Sequence, residues 1–184
     1  MAAAQKKKSD SKSAKTKASA QKTKRTYTEE GYIAPDRLRE SMQKVLVELI
    51  NLKLIAKQAH WNIVGTNFRD LHLQLDEVVE VAQRGSDEIA ERMRALHATP
   101  DGRVSVVAKT TTLAELPAGE ITTHEAIGHM VKTLDNTVGV MRDLHDGIDE
   151  DDPTTADILH EYIAALEHES WLISAEVREP TKAK

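Results

Sequence analysis

Residues 68–93 read FRDLHLQLDEVVEVAQRGSDEIAERM. Within them Leu71, Leu75, Val78, Ala82, Ile89 and Met93 recur at intervals of three, four and seven. With Phe68 before and Leu96 after, they make one apolar stripe of a helix beginning around Thr66 or Asn67. Gly85 falls inside that stripe and predicts a close contact with a neighbouring helix. Pro100, Asp101 and Gly102 end the helix. A second stripe runs beside the first. His72 and Asp76 are four apart, Asp87 and Glu91 are four apart, and Asp76 and Asp87 are separated by three turns with about 20° of drift. His72 and Glu91 lie roughly 28 Å apart along the axis, so one helix cannot close all four around one ion.

The flanking segments repeat the helical period. From Pro35, which suits a first helical position, apolar residues fall at Leu38, Met42, Val45, Leu49, Leu52, Ala56 and Ala59, ending near Gly65. A third helix follows Thr122 or Thr123 and carries Ile127, Val131, Leu134, Val138, Met141 and Ile148. Asp149–Asp152 reads as an acidic turn closed by Pro153. A fourth helix carries Ile158, Tyr162, Ala165, Leu166, Leu172 and Ile173 and stops before Pro180. Residues 100–121 form the connection between the second and third helices, and Thr111–Leu116 predicts a short helix within it. No strand pattern competes. The fold class is all-α: a four-helix bundle with one long middle crossover, spanning residues 31–184.

Composition narrows the rest. The chain has 184 residues, 3% aromatic residues and no cysteine. Few aromatics argue against a β-sandwich or barrel. The lack of cysteine excludes a disulfide framework, a thiolate zinc site, an iron–sulfur cluster and a cysteine nucleophile. No apolar run approaches a membrane span, and no apolar segment follows the basic start as in a secretory signal. The net charge of −5 conceals a division. Lys6, Lys7, Lys8, Lys12, Lys15, Lys17, Lys22, Lys24 and Arg25 oppose only Asp10 in the first 25 residues, leaving −13 on the remainder. Residues 1–30 are rich in Ala, Lys, Ser and Thr and read as a disordered tail. Nucleic-acid binding, simple solvation and targeting all fit such a tail. Its Lys dominance and lack of an apolar stripe weigh against targeting.

Several reactive motifs are excluded by register. His124 and His129 flank a sequence close to the zinc-protease motif, but they are five apart and face different sides of a helix. No Glu-x-x-His pair occurs in the second, third or fourth helix, so a di-iron site inside one bundle core is unsupported. No phosphate loop or nucleophile elbow is present. The second stripe has a different solution. The numbers 72 and 91 are centred on the same point as 76 and 87. Two antiparallel copies of this helix, crossing near Val81 and Ala82, bring His72 and Asp76 of one subunit to Asp87 and Glu91 of the other. An isologous dimer then owns two identical sites, each with an imidazole and three carboxylates, a set suited to iron. His60, at the end of the first helix, offers a second imidazole. Taken singly, these residues also fit an ordinary solvated face.

The run Lys57-Gln58-Ala59-His60-Trp61-Asn62-Ile63-Val64-Gly65-Thr66-Asn67-Phe68-Arg69-Asp70-Leu71-His72-Leu73-Gln74-Leu75-Asp76-Glu77 resembles the signature of the Dps family, the ferritin-like miniferritins or DNA-binding proteins of starved cells. Asp87, Glu91, the Thr155–Leu159 segment and Trp171 extend the resemblance, which covers residues 35–178. The tail and the 100–121 connection match least. The resemblance implies a ferroxidase centre made by His60, His72 and Asp76 of one subunit with Asp87 and Glu91 of its two-fold mate. It implies that Trp61 sits beside the centre and absorbs a stray oxidising equivalent, although a core aromatic is equally consistent with the residue alone. Lys57 either pairs with a site carboxylate or stands exposed.

The resemblance further implies a hollow dodecamer with acidic pores, for which Asp157 is the best match and Asp151, Asp152 and Glu161 are neighbours. Fe(II) would enter there, be oxidised preferentially by hydrogen peroxide and be stored as ferric mineral. Double-stranded DNA would be held without sequence preference by the tail, and the protein would be cytoplasmic and nucleoid-associated. The other function class open to the sequence is an architectural DNA-compacting protein whose metal site is vestigial.

Overall fold

The computed structural model describes residues 27–28 and 31–182. The Lys-rich DNA-binding assignment, Lys6 to Arg25, lies outside the described residues. Tyr27–Thr28 (β1) pairs antiparallel with Gly31–Tyr32 (β2), so regular structure begins inside the segment assigned to the tail.

Four long helices follow: α1 (Asp36–Asn62), α2 (Phe68–Ala95), α4 (Thr123–Asp151) and α5 (Pro153–Ala175). A short α3 (Val104–Thr110) lies in the crossover between α2 and α4. The helices form two hairpins, α1–α2 and α4–α5, and α1 also packs on α4 and α2 on α5. Ile63–Val64 (β3), after α1, pairs in parallel with Ile121–Thr122 (β4), before α4. That pairing fixes the crossover: the chain leaves the far end of α2, returns along the bundle and starts α4 beside the start of α2. The result is the four-helix architecture read from the periodicity.

Every expected apolar position of α1 is buried, Leu38 to Ala59. In α2, Leu71, Leu75, Val78, Ala82, Ile89 and Met93 are buried, but Phe68 is 43% exposed at the helix start. The turn before it uses Gly65 at φ 117° and Asn67 at φ 58°, left-handed conformations that suit these two residue types. In α5 the buried face centres on Ala156, Leu159, Tyr162, Ile163 and Leu166. Tyr162, Leu166 and Ile173 are buried as expected, whereas Ile158, Ala165 and Leu172 are only partly buried and Ala156, Leu159 and Ile163 take their place in the core.

Four local expectations are corrected. Pro35 is the N-cap of α1 rather than its first residue. The crossover helix is Val104–Thr110, not Thr111–Leu116. Three valines, poor helix formers, mask it in the sequence. What displaces the helix is Glu48, which is 2% exposed in α1. Its carboxylate accepts the Thr111 hydroxyl at 2.7 Å, the Thr112 N–H at 2.8 Å and the Thr112 hydroxyl at 2.9 Å. A buried carboxylate needs such donors, and meeting it holds Thr111 extended. The start of α4, placed after Thr122 or Thr123 by the sequence, carries a complete capping box, Thr122 with Glu125.

The third and fourth corrections concern the acids before Pro153. Asp149–Asp151 are the last residues of α4, and Asp152 alone separates α4 from α5. Asp151 and Asp152 are buried, not solvated. Arg37 donates to Asp151 at 2.8 and 3.0 Å, and Arg92 donates to Asp152 at 2.6 Å. The Thr155 hydroxyl also donates to Asp152. Burial raises the Asp152 pKa, but Thr155 and Arg92 outweigh it and hold the carboxyl below its ordinary value. The corner between the α4–α5 pair and the two other helices is therefore an ion-pair lock.

Gly85 makes the contact its position implied. A Cβ there would lie 2.9 Å from Tyr162 Cδ1 and 3.2 Å from Tyr162 Cγ. The tyrosine ring is itself pinned, its hydroxyl donating to Glu88 at 2.6 Å. Gly85→Ala should therefore destabilise the subunit by about 1–3 kcal/mol through overpacking, despite the better helix propensity of alanine. Thermal unfolding of the two proteins checks this, and an equal or higher Tm for the variant would contradict the contact.

Candidate metal centre

The α1–α2 hairpin brings His60 and His72 together. Their rings stack with centroids 3.6 Å apart and planes inclined 21°. His60 Nδ1 lies 2.9 Å from the His72 carbonyl oxygen, and His72 Nδ1 lies 3.0 Å from the His60 carbonyl oxygen. A carbonyl only accepts, so both Nδ1 atoms carry the proton and donate. The Nε2 lone pairs are then left for a ligand, which is how a metal-binding imidazole is usually oriented. Phe68 also stacks with His72, centroids 5.1 Å apart and planes inclined 29°.

Asp76 completes this group. Its Oδ1 lies 3.2 Å from His60 Nδ1 and 2.5 Å from Lys57 Nζ. The Lys57 ammonium, more than any other neighbour, holds the Asp76 carboxyl below its ordinary value; burial opposes this, and His60 and His72 add to it. Of the two readings of Lys57, pairing with a site carboxylate is the one observed.

Asp87 and Glu91 are not part of this cluster. Both are exposed on the same outward stripe of α2, and Asp87 begins three turns along the helix from Asp76, roughly 17 Å. Among the described residues no three His, Asp or Glu side chains of one subunit are gathered to hold an ion. One subunit thus carries two separate groups: the imidazoles with Asp76 at one end of α2, and the Asp87 and Glu91 carboxylates at the other.

Two details of the sequence reading change. Val81 is 7% exposed and Ala82 is fully buried in the subunit's own core, so these two mark the height of the expected crossing without facing outward. At that level of α2 the outward residues are Glu80 and Gln83, with Val79 partly buried beside them. Trp61 is 68% exposed, which removes the core-aromatic reading and leaves it on the surface next to His60. Leu54, Phe68 and Leu73 are further large apolar residues exposed on the same two helices. Large exposed apolar side chains are a mark of surfaces used in association.

The residues assigned to the pore separate into two kinds. Asp151 and Asp152 are spent on Arg37 and Arg92. Asp157 and Glu161 are exposed one turn apart on α5. Sequence reasoning missed the reciprocal imidazole–carbonyl pairing, because it depends on the depth of the hairpin turn, and it missed the stacking role of Phe68. It also passed over His145 and His160, which fit no short motif.

The ferritin-like domain family matches residues 39–182. A DNA protection during starvation protein of Agrobacterium fabrum is 32% identical over 139 residues, 75% of this chain and 86% of that relative. DNA protection during starvation protein 2 of Deinococcus radiodurans is 30% identical over 136 residues, 74% of this chain. The match spans just over half of that longer relative, 56% of its length. The solved structure of Dps from Microbacterium arborescens in the high iron form is 32% identical and superposes with a TM-score of 0.74, covering 80% of this chain and 99% of that one. A helical bundle with this crossover, the matched domain and relatives of this identity together make the chain a member of the Dps proteins within the ferritin-like family.

Proposed function

We propose that the protein is a ferroxidase and iron-storage miniferritin. Two subunits related by a two-fold axis face each other along α2. His60, His72 and Asp76 of one then meet Asp87 and Glu91 of the other, with Fe(II) as substrate. The observation that carries this reading is the pair of stacked imidazoles whose Nδ1 protons are tied to carbonyls, which leaves two Nε2 lone pairs for a ligand beside Asp76. Exposed Trp61, Phe68 and Leu73 around that site supply the apolar area a partner would cover.

The chemistry follows from the ligand set. Carboxylates and imidazoles hold ferrous ions without favouring bare carboxylate cations such as magnesium. Two Fe(II) ions each give one electron to hydrogen peroxide, which takes up two protons and leaves as two waters. Ferric ions then pass to acidic side chains inside a dodecameric shell, where mineral grows. Lys57 serves as the resident counter-ion of Asp76, so one metal position opens only when its ammonium swings away. That makes the second iron the more weakly held of the two. Trp61, beside His60, takes the stray oxidising equivalent. Fe(II) gathers at Asp157 and Glu161, since Asp151 and Asp152 already have arginine partners. An acidic body concentrates the cation.

DNA protection is assigned to the tail. The body, at −13, repels phosphates, so the nine cations from Lys6 to Arg25 must hold double-stranded DNA, without sequence preference. Many tails on one shell add avidity. Among the described residues no helix is long and apolar enough to cross a membrane, and a cytoplasmic, nucleoid-associated place suits this role.

Anaerobic Fe(II) titration of the assembled protein, followed by Trp fluorescence, is expected to saturate near one or two irons per subunit, with rapid oxidation when peroxide is added. Asp87→Ala with Glu91→Ala should abolish both, and Lys57→Gln should tighten the weaker phase by about two- to five-fold. An intact assembly that binds no iron at this stoichiometry would leave the site vestigial and the architectural DNA role in its place. Deleting residues 1–25 should abolish gel-shift activity and leave iron oxidation unchanged. With about six cations engaged, log K for the full chain should fall against log salt with a slope near −5. Retained DNA binding by the truncated protein would contradict the tail assignment.

A further inference from the structure

The outward stripe of α1 obeys the same two-fold rule as that of α2. Leu46, Ile50, Lys53, Lys57 and Trp61 recur at intervals of four, three, four and four, so they share one side of α1. Leu46 with Trp61, and Ile50 with Lys57, are centred between positions 53 and 54. On α2, His72 with Glu91, Asp76 with Asp87, and Glu80 with Gln83 are centred between positions 81 and 82. The two midpoints lie at one height in the hairpin, because Lys53 donates to Gln83 at 2.8 Å and Lys57 donates to Asp76 at 2.5 Å. One two-fold axis at that height therefore serves both helices. It sets Trp61 of one subunit against the Leu46 end of its mate.

The two ends of the hairpin differ in shape. At the His60 end Trp61 projects, 68% exposed. At the other end α1, α2 and the start of the crossover enclose a groove of about 330 Å³. Leu46, Ile50 and Ala90 supply its apolar wall, Pro100 its rim, and Ser86 and Asp87 its polar edge. The Ser86 hydroxyl donates to the Gln83 carbonyl at 2.9 Å, so its oxygen keeps lone pairs that can accept an indole N–H.

We propose that the Trp61 indole of each subunit seats in this groove of its two-fold mate, giving two identical contacts per subunit pair. The inference rests on the two-fold reading of the ferroxidase centre and gives it a positioning residue. Trp61 follows His60 on α1, and Asp87 edges the groove. Seating the indole therefore draws His60, His72 and Asp76 toward the partner's Asp87 and Glu91. A large aromatic side chain filling an apolar groove is the kind of anchor that dominates the energy of an interface.

Photo-cross-linking of the full-length assembled protein tests this. Trp61→benzoylphenylalanine keeps a large aromatic group at the position. Assembled from heavy and light isotopic chains, it is expected to give mixed cross-links from position 61 to residues 46–50 or 86–90. Cross-links confined to one chain, or to other surfaces of a second chain, would overturn the seating. Dissociation on dilution adds an energetic test. Trp61→Ala, a change at an exposed side chain, should loosen subunit pairing roughly thirty-fold or more, and Trp61→Phe should recover part of the loss. Ala90→Leu, which fills the groove, should weaken pairing in the wild type but add nothing to Trp61→Ala; additive losses would contradict the contact. Iron titration of the unaltered protein keeps the two readings apart. Groove cross-links in a protein that binds no iron would leave the seating standing and the ferroxidase reading wrong, whereas iron binding with cross-links elsewhere would overturn the seating alone.

Discussion

The rigidity of α2 is the constraint on which the rest depends. A helix of 28 residues holds its side chains at fixed heights. One of its faces is committed to the core by Leu71, Leu75, Val78, Ala82, Ile89 and Met93. The neighbouring face carries His72 and Asp76 at one end and Asp87 and Glu91 at the other. No bend or loop can bring the two ends together inside one subunit. Whatever those four residues do jointly, they do across an interface. On the proposed function, chemistry is thereby tied to assembly.

The other elements serve that helix. The β3–β4 pairing and the Glu48 clasp on Thr111 and Thr112 seat the crossover, so that α4 and α5 close the core behind α2. Gly85 lets the Tyr162 ring approach, fixing α5 against α2 midway along its length. The ion pairs of Arg37 with Asp151 and of Arg92 with Asp152 join the α4–α5 corner to α1 and α2. The hairpin turn through Gly65 and Asn67 sets the register in which His60 and His72 exchange hydrogen bonds through their Nδ1 atoms. In this way a local feature of the backbone decides which imidazole nitrogen is tied to a carbonyl.

Much of this was legible in the chain, because a long helix repeats its period many times. The four long helices, the crossover, the Gly85 contact and the start of α4 all follow from periodicity and from residues that punctuate helices. The symmetric spacing of 72, 76, 87 and 91 also pointed to a shared stripe before any coordinates. What escaped depends on contacts between distant segments. The position of α3 is set by a buried glutamate some sixty residues earlier. Asp151 and Asp152 look like a solvated turn until Arg37 and Arg92 arrive from other helices. Val81 and Ala82 lie at the midpoint of the ligand stripe by number but on the core face by angle. Trp61 could not be assigned to core or surface from a helix end alone.

The central claim is that each site takes His60, His72 and Asp76 from one subunit and Asp87 and Glu91 from another. Co-assembly of two inactive variants measures it directly. One carries His72→Ala with Asp76→Ala, and the other carries Asp87→Ala with Glu91→Ala. In a mixed dimer one site gathers all four substitutions and the other gathers none. Random mixing in equal amounts makes half the dimers mixed, so about a quarter of the wild-type peroxide-driven iron oxidation should return. If the co-assembled protein stays as inactive as either variant alone, the ligands belong to one subunit or to none, and the shared site is wrong.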